Sequence, residues 1–346
     1  MTTEAPSRDA VRYVAEPGAP RYLTSYIARR AYKEEVQHPP SVNGVRGVID
    51  VHCHAHDGQQ DALDLAKYAS VNGMRGLLYK SIVGRARPAE SVRAVLEQLQ
   101  RWADDNGVEP IQAWAGYNVG SGDALVSADE VRKQIEDGVV AIWMPTARSA
   151  NTIHKIGGPP IWWDKSANPR SHTGPLPWDE ARKCGHYLLD EHGNLKEQVR
   201  EIFRVVADTG VMVSFAHASH PELYAMLDEA LRLGLSRALV DHPFSPFVDL
   251  SVDEMRDLAS HGIYLNFTFD EISPLLGVDP YQMQAAIRAT GVEYVTLSSD
   301  CGEPLFPNSV EAMRLIRGYM RAFGLSDEEV DQISIHNPAK LVPLNG

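Results

Sequence analysis

An α/β fold of the (β/α)8 TIM-barrel class is what this sequence predicts, and three observations carry the prediction. From Gly47 onward, short β-rich apolar runs alternate with helix-like segments, the pattern of a parallel sheet with helices packed outside it. Eight such runs occur, the number that closes a barrel. No Gly-x-Gly-x-x-Gly follows the first run, which disfavours the open, doubly wound sheet of dinucleotide-binding proteins.

The first strand is expected over residues 47–54, followed by a helix over 61–72 with Leu63, Leu65, Ala66 and Ala69 at helical spacing. Strand two is 76–81. A helix then starts at Pro88, a favoured early helical position, and runs to 104. Strand three is 111–117, and the helix over 127–136 opens on a capping-box pattern of Ser127 and Glu130. Strand four is 139–144. The rhythm breaks at residues 148–194, a segment rich in Gly, Pro, Trp and His; irregular stretches of this length inside a compact domain are usually lids or binding loops. It resumes with a helix over 195–209 and strand five over 211–217. Helix 221–233, strand six (237–242), helix 252–260, strand seven (263–269), helix 280–290 and strand eight (294–300) follow. Residues 309–323 and 327–341 are two further expected helices. Residues 1–45 carry Pro6, Pro17, Pro20, Pro39 and Pro40. They read as an N-terminal extension packed on the barrel or on a second subunit, or as a partly ordered tail. The barrel domain is 46–346.

Composition bounds the function. The 346 residues are 44% apolar, as in a globular protein. A formal charge of −13 with no Lys/Arg cluster argues against nucleic acid as a partner. Three cysteines make no disulfide framework and suit a reducing, cytoplasmic setting. Met1 to Asp9 are polar, so no signal peptide is expected. No run approaches the roughly 18 apolar residues of a membrane span. The expected partners are a small-molecule substrate and further copies of the chain in a homo-oligomer.

The chemistry concentrates at the C-terminal ends of the expected strands, where barrel active sites lie. The first strand ends His52-Cys53-His54. Side chains at i and i+2 share a face, so the two imidazoles lie side by side, a start on a divalent metal site. Taken alone, the pair fits two partly exposed loop histidines equally well. Strand two ends in Lys80, strand five in His217, strand six in His242 and strand eight in Asp300. Cys53 and Cys301 point away by alternation and read as small buried hydrophobes. Asp50 reads as a strand-start polar residue rather than a ligand-orienting one, and Asp241 as outward-facing. His154, Trp162, Trp163, Arg170, His172 and Trp178 lie in the insertion. They suit a lid over a planar or anionic molecule, or aromatic pins that hold the loop to the barrel, with Gly157-Gly158 as a hinge. His56, Arg85, Arg87 and Glu303 are further substrate-contact candidates.

The order His-x-His, His, His, Asp on strands one, five, six and eight resembles the amidohydrolase superfamily of metal-dependent barrels, over about residues 47–346. Within it the chain looks closest to a poorly characterised bacterial branch. Asn337-Pro338-Ala339-Lys340-Leu341 resembles the structural helix that often ends those proteins. The resemblance implies His52, His54, His217 and Asp300 as metal ligands, with His242 as a second-metal ligand or a substrate-polarising group. Two-metal members often carry a carbamylated lysine at the end of strand four; here that strand ends Trp143-Met144-Pro145-Thr146. Lys80 is then a displaced bridging ligand, a cation for a substrate anion or oxyanion, or a salt-bridged structural residue. One ion is expected rather than two, Zn²⁺ first, with Mn²⁺ or Fe²⁺ as alternatives. A Zn²⁺-like ion lowers the pKa of bound water to around 7, Asp300 can relay its proton, and His242 or Lys80 can stabilise charge on a carbonyl oxygen. The expected activity is hydrolysis of an amide, cyclic amide, ester or lactone. Non-oxidative decarboxylation on the same site, and a non-catalytic binding barrel, are the competing readings.

Overall fold

The computed structural model describes residues 44–55, 61–82, 86–157, 174–302 and 305–344. The expected N-terminal extension lies almost wholly outside them. Eight parallel strands form one sheet in strict chain order: β1 (Ile49–Ala55), β2 (Gly76–Ile82), β3 (Gln112–Asn118), β4 (Val139–Trp143), β5 (Met212–Ser214), β6 (Ala238–Asp241), β7 (Tyr264–Thr268) and β8 (Val295–Ser298). This is a (β/α)8 TIM barrel. Side chains help close the seam between β8 and β1. Ser299 donates through Oγ to Asp50 Oδ2 at 2.5 Å and through its backbone N–H to Oδ1 at 3.2 Å. The Asp300 N–H reaches the His52 carbonyl at 2.9 Å. Asp50 thus belongs to the closure of the barrel.

Two insertion helices and a single turn after β7, none of them expected, join the helices that the apolar periodicity placed. They are α1 (Ala62–Val71), α2 (Pro88–Asn106) and α3 (Ala128–Glu136); α4 (Ala150–Ile156) and α5 (Trp178–Cys184) in the insertion; then α6 (Glu197–Thr209), α7 (His220–Leu233), α8 (Val252–Ser260), a single turn α9 (Phe269–Ile272), α10 (Pro280–Thr290), α11 (Ser309–Ala322), α12 (Asp327–Asp331) and α13 (Pro338–Leu341). Caps satisfy amides at the helix starts that have no partner within the helix. Asp61 accepts from the N–H groups of Leu63 and Asp64, and Ser219 with Glu222 forms a reciprocal box on α7. Only half of the expected box forms on α3. Ser127 accepts from the Glu130 N–H, but the Glu130 carboxylate takes the Gln134 amide at 2.8 Å. The single helix expected over 327–341 is broken by a π-helical turn at Gln332–His336. Pro338, which lacks an N–H, then starts α13, and the Asn337 amide donates to the carbonyls of Val292 and Val295 just before and at the start of β8. The terminal Asn-Pro motif is therefore a clasp on the last strand.

Trp143, Tyr79, Phe203, Phe215 and Phe267 are the largest fully buried side chains of the core. The strand-five run expected to reach residue 217 stops at Ser214, because Ala216 turns to φ 53° and leaves the extended region. This break in the backbone delivers His217 to the barrel mouth from a turn rather than from a strand.

Candidate active site

Asp50, His52 and His54 alternate with Val51 and Cys53 along β1, so the two imidazoles share one face, with ring centroids 5.4 Å apart. Asp300 comes to them from the end of β8. Its Oδ1 lies 3.0 Å from His52 Nε2 and 2.9 Å from His54 Nε2, and its Oδ2 lies 3.8 Å from His242 Nε2. One donor atom from each of His52, His54 and Asp300 falls within 4.8 Å of the others.

The His52 ring is fixed from behind. Its Nδ1–H donates to Asp241 Oδ1 at 2.8 Å, and a carboxylate accepts only, so Nε2 is left to face Asp300. That nitrogen is buried and makes no aligned hydrogen bond among the described residues, despite the short distance. A cation that displaces the Nε2 proton would meet a ring lone pair and a carboxylate oxygen directed at a common space, and a carboxylate–histidine pair is the usual support of a metal-bound imidazole. The donor set fits a divalent ion.

Asp241 corrects the sequence-based expectation that it faces outward. It is fully buried at the end of β6 and gathers four donors. Besides His52, it accepts from Trp143 Nε1 at 2.8 Å, Ser214 Oγ at 2.5 Å and Asn266 Nδ2 at 2.7 Å. Alternation failed here because the next residue, His242, adopts φ 36°. A left-handed residue breaks the two-residue period, so Asp241 and His242 both reach the interior. Asp300 (φ 45°) and Ala216, just before His217, share this conformation. Outside glycine it is sparsely populated, and it clusters at sites whose surroundings hold it. Here the His242 N–H is held by the Asn266 carbonyl at 2.7 Å, that of Asp300 by His52, and that of Ala216 by Ser214 Oγ at 3.0 Å.

The charges reflect this geometry. Burial alone lowers the basicity of His52, but the Asp241 and Asp300 carboxylates outweigh it and lift the ring to about 9. Burial raises Asp241 and Asp300 in turn, yet the His52 charge holds both well below the usual carboxylate range. Burial lowers His54 to about 3 and His242 to about 4, and takes His217 down as well. Those three rings are neutral near pH 7. Lys80 adds to the positive field of His52: it acts on His52, His54, His217, His242, Asp241 and Asp300 alike. It makes no ion pair among the described residues, so the salt-bridged structural role has no partner there.

His217 and His242 pack edge to face at 4.9 Å, and Phe247 stacks on His217 at 4.5 Å. His217 lies outside the three-donor cluster and borders it through His242. Its Nδ1 meets Thr152 Oγ1 at 2.8 Å, while His242 Nδ1 meets Ser245 Oγ at 2.9 Å. Trp143 occupies the strand-four position where a lysine was looked for, with its ring 5.6 Å from that of His52. His154 donates through Nδ1–H to the Leu176 carbonyl (2.9 Å) and packs edge-on against Trp178 at 5.1 Å; among the described residues these are contacts of the insertion with itself. Arg87 pairs with Glu90 on the surface. Trp162, Trp163, Arg170, His172, His56, Arg85 and Glu303 lie outside the described residues. Cys53 and Cys301 are buried, as expected.

Asp241, Trp143, Asn266 and Thr152 went unassigned from sequence. A signal was present for the first: a carboxylate within the apolar run Leu239-Val240-Asp241 of a strand buried on both faces must have partners. The other three looked like ordinary strand and loop residues.

A model of a family of unknown function, DUF6282, matches residues 47–266. The chain belongs to this family. No curated protein matches the sequence. Among solved structures, the chain is similar to a putative 2-pyrone-4,6-dicarboxylic acid hydrolase from Pseudomonas putida (TM-score 0.51, 11% identity, 85% of this chain and 96% of that one). It is similar to an amidohydrolase from Pseudomonas aeruginosa (0.53, 12%, 85% and 95%). A TatD homologue from Escherichia coli K12 gives 0.51 and 17%, over 86% and 100%. At these identities the likeness is one of fold, and it agrees with the (β/α)8 barrel that the strand–helix alternation predicted. No helix among the described residues is long and apolar enough to cross a membrane.

Proposed function

We propose that this DUF6282 protein is a metal-dependent hydrolase that adds water across a C–N or ester bond of a small molecule. The observation that supports it most strongly is the convergence of His52, His54 and Asp300 at the barrel mouth, with His52 Nε2 buried, unaligned and backed by Asp241.

His52, His54 and Asp300 would hold the ion, with His217 as the further imidazole. A set dominated by nitrogen donors with one carboxylate suits Zn²⁺ first. When bound, such an ion supplies Lewis acidity, which makes water a competent nucleophile near neutral pH. The rest of the chemistry falls to the chain. Asp300 turns Oδ1 toward the two imidazoles of β1 and Oδ2 toward His242, so one oxygen can serve the ion while the other accepts the water proton and returns it to the leaving group. His242, neutral and tied to Ser245, is placed to donate a hydrogen bond to a carbonyl oxygen as charge develops there. Lys80 adds the full positive charge on that side. Trp143 in the strand-four position favours a single ion.

The test is an Asp300→Asn variant assayed against a panel of amides, lactams, esters and lactones. We expect a folded protein with turnover reduced by at least ~10²-fold, in line with losing a positioned acid–base group. Full turnover in that variant, or CO₂ release without water addition in the native enzyme, would overturn the proposal.

A further inference from the structure

The insertion after β4 reaches back into the site through one hydroxyl. Thr152, in the first turn of α4, places Oγ1 2.8 Å from His217 Nδ1 and 3.0 Å from the Thr146 carbonyl oxygen. A threonine hydroxyl has one proton to give, and a carbonyl oxygen can only accept. With that proton directed at Thr146, the bond to His217 can form only if the ring donates, which puts its hydrogen on Nδ1 and leaves Nε2 as a lone pair. The neighbourhood holds this arrangement in place. Ser149 Oγ and Asn151 Nδ2 both donate to the His217 carbonyl, and Asn151 also reaches the carbonyls of Ala218 and Phe247. Phe247 covers the ring face at an interplanar angle of 1°. Ring, hydroxyl and helix start are all buried.

We infer that Thr152 is a positioning residue that sets the tautomer of His217, doing from the insertion what Asp241 does for His52 from β6. This rests on the proposed ligand role of His217 and goes beyond it: the start of the insertion is part of the metal site's support, whatever the rest of it does. Two histidines then receive the same Nε2-ligating form by different means, a carboxylate for one and a neutral hydroxyl locked by a carbonyl for the other.

The experiment uses the full chain and three variants, Thr152→Val, Thr152→Ser and His217→Ala. ¹⁵N-resolved imidazole spectra of the metal-free protein report the His217 tautomer, and Zn²⁺ titration against a chelator reports affinity. The native protein and Thr152→Ser should show His217 protonated on Nδ1. Thr152→Val, nearly the same shape, should lose that preference and bind Zn²⁺ about 10- to 100-fold more weakly, the usual cost of removing a partner behind a ligand. An unchanged Nδ1–H form together with unchanged affinity in Thr152→Val overturns the inference. His217→Ala separates the two claims. If it binds Zn²⁺ as tightly as the native chain, the ligand role of His217 fails, while the spectra of Thr152→Val still decide whether Thr152 sets the tautomer.

Discussion

Asp241 shows how one side chain can organise a site that it does not itself face. Its carboxylate joins β1, β4, β5 and β7 through His52, Trp143, Ser214 and Asn266, and Asn266 passes the link to Thr296 and Ser298 of β8. Removing one partner of a buried ion pair typically costs about 3–5 kcal/mol, and losing the acceptor behind a metal-bound imidazole costs about 10- to 100-fold in metal affinity. Asp241→Asn should therefore unfold at markedly lower denaturant than the native chain when metal-free, and bind Zn²⁺ more weakly; paired urea titrations and chelator competition check both. The residues proposed to carry the chemistry were legible where the backbone stays regular: His52 and His54 follow from the two-residue period of a strand. Asp241 was not, because that period assumes extended backbone on both sides and the left-handed His242 violates it. Asp300 was found in spite of its own left-handed backbone, since a carboxylate closing an apolar strand stands out regardless of φ.

Between strands, the strand-four position is decided by shape as much as by charge. A Cβ on Gly116 of β3 would lie 2.3 Å from Cζ3 of Trp143 and 3.2 Å from the Cα of Lys80. The glycine makes room for the indole, and the indole reaches Asp241. Gly116→Ala should push the ring from its place, with an overpacking cost of about 1–3 kcal/mol, and should change Trp143 fluorescence. An unshifted melting curve and emission spectrum would show that the ring has room to spare. At the other side of the barrel, Glu271 caps α9 and accepts from the N–H groups of Thr268 and Phe244, both at 2.7 Å. Burial pushes its carboxyl from an ordinary 4.5 up to about 8, against the pull of those two donors. Between these values the folded chain keeps the proton and the unfolded chain has released it, so this group's contribution to stability is full below about 4.5 and falls as pH rises toward 8. Unfolding free energies of the native chain and Glu271→Gln, measured from about pH 5 to pH 9, should show the native chain losing more with rising pH. Parallel curves would contradict that. Element positions were readable because helix periodicity and caps are local. The break in 327–341 was not, since it depends on partners distant in sequence, Val292 and Val295 for Asn337; the early end of β5 was not, since nothing in an apolar run marks the left-handed turn at Ala216.

For the molecule as a whole, the barrel and the site are one construction. The β8–β1 closure passes through Asp50, His52, Ser299 and Asp300, so the residues that complete the cylinder adjoin or include those that would hold the ion. Eight βα units were countable from alternation alone, because a parallel barrel buries its strands as apolar runs that need no distant information to recognise. The substrate was not readable, since the insertion that would select it has no period to follow. An ion that binds only the fold should raise its stability by mass action, by about 2.7 kcal/mol at a hundredfold excess over Kd. The most direct test is elemental analysis of the purified chain beside a His52→Ala, His54→Ala double variant. About one divalent ion per chain is expected in the native protein, removable by chelator with a fall in melting temperature, and none in the double variant. Native protein that takes up no divalent ion, or a double variant that keeps its metal, would contradict a metal centre built on β1.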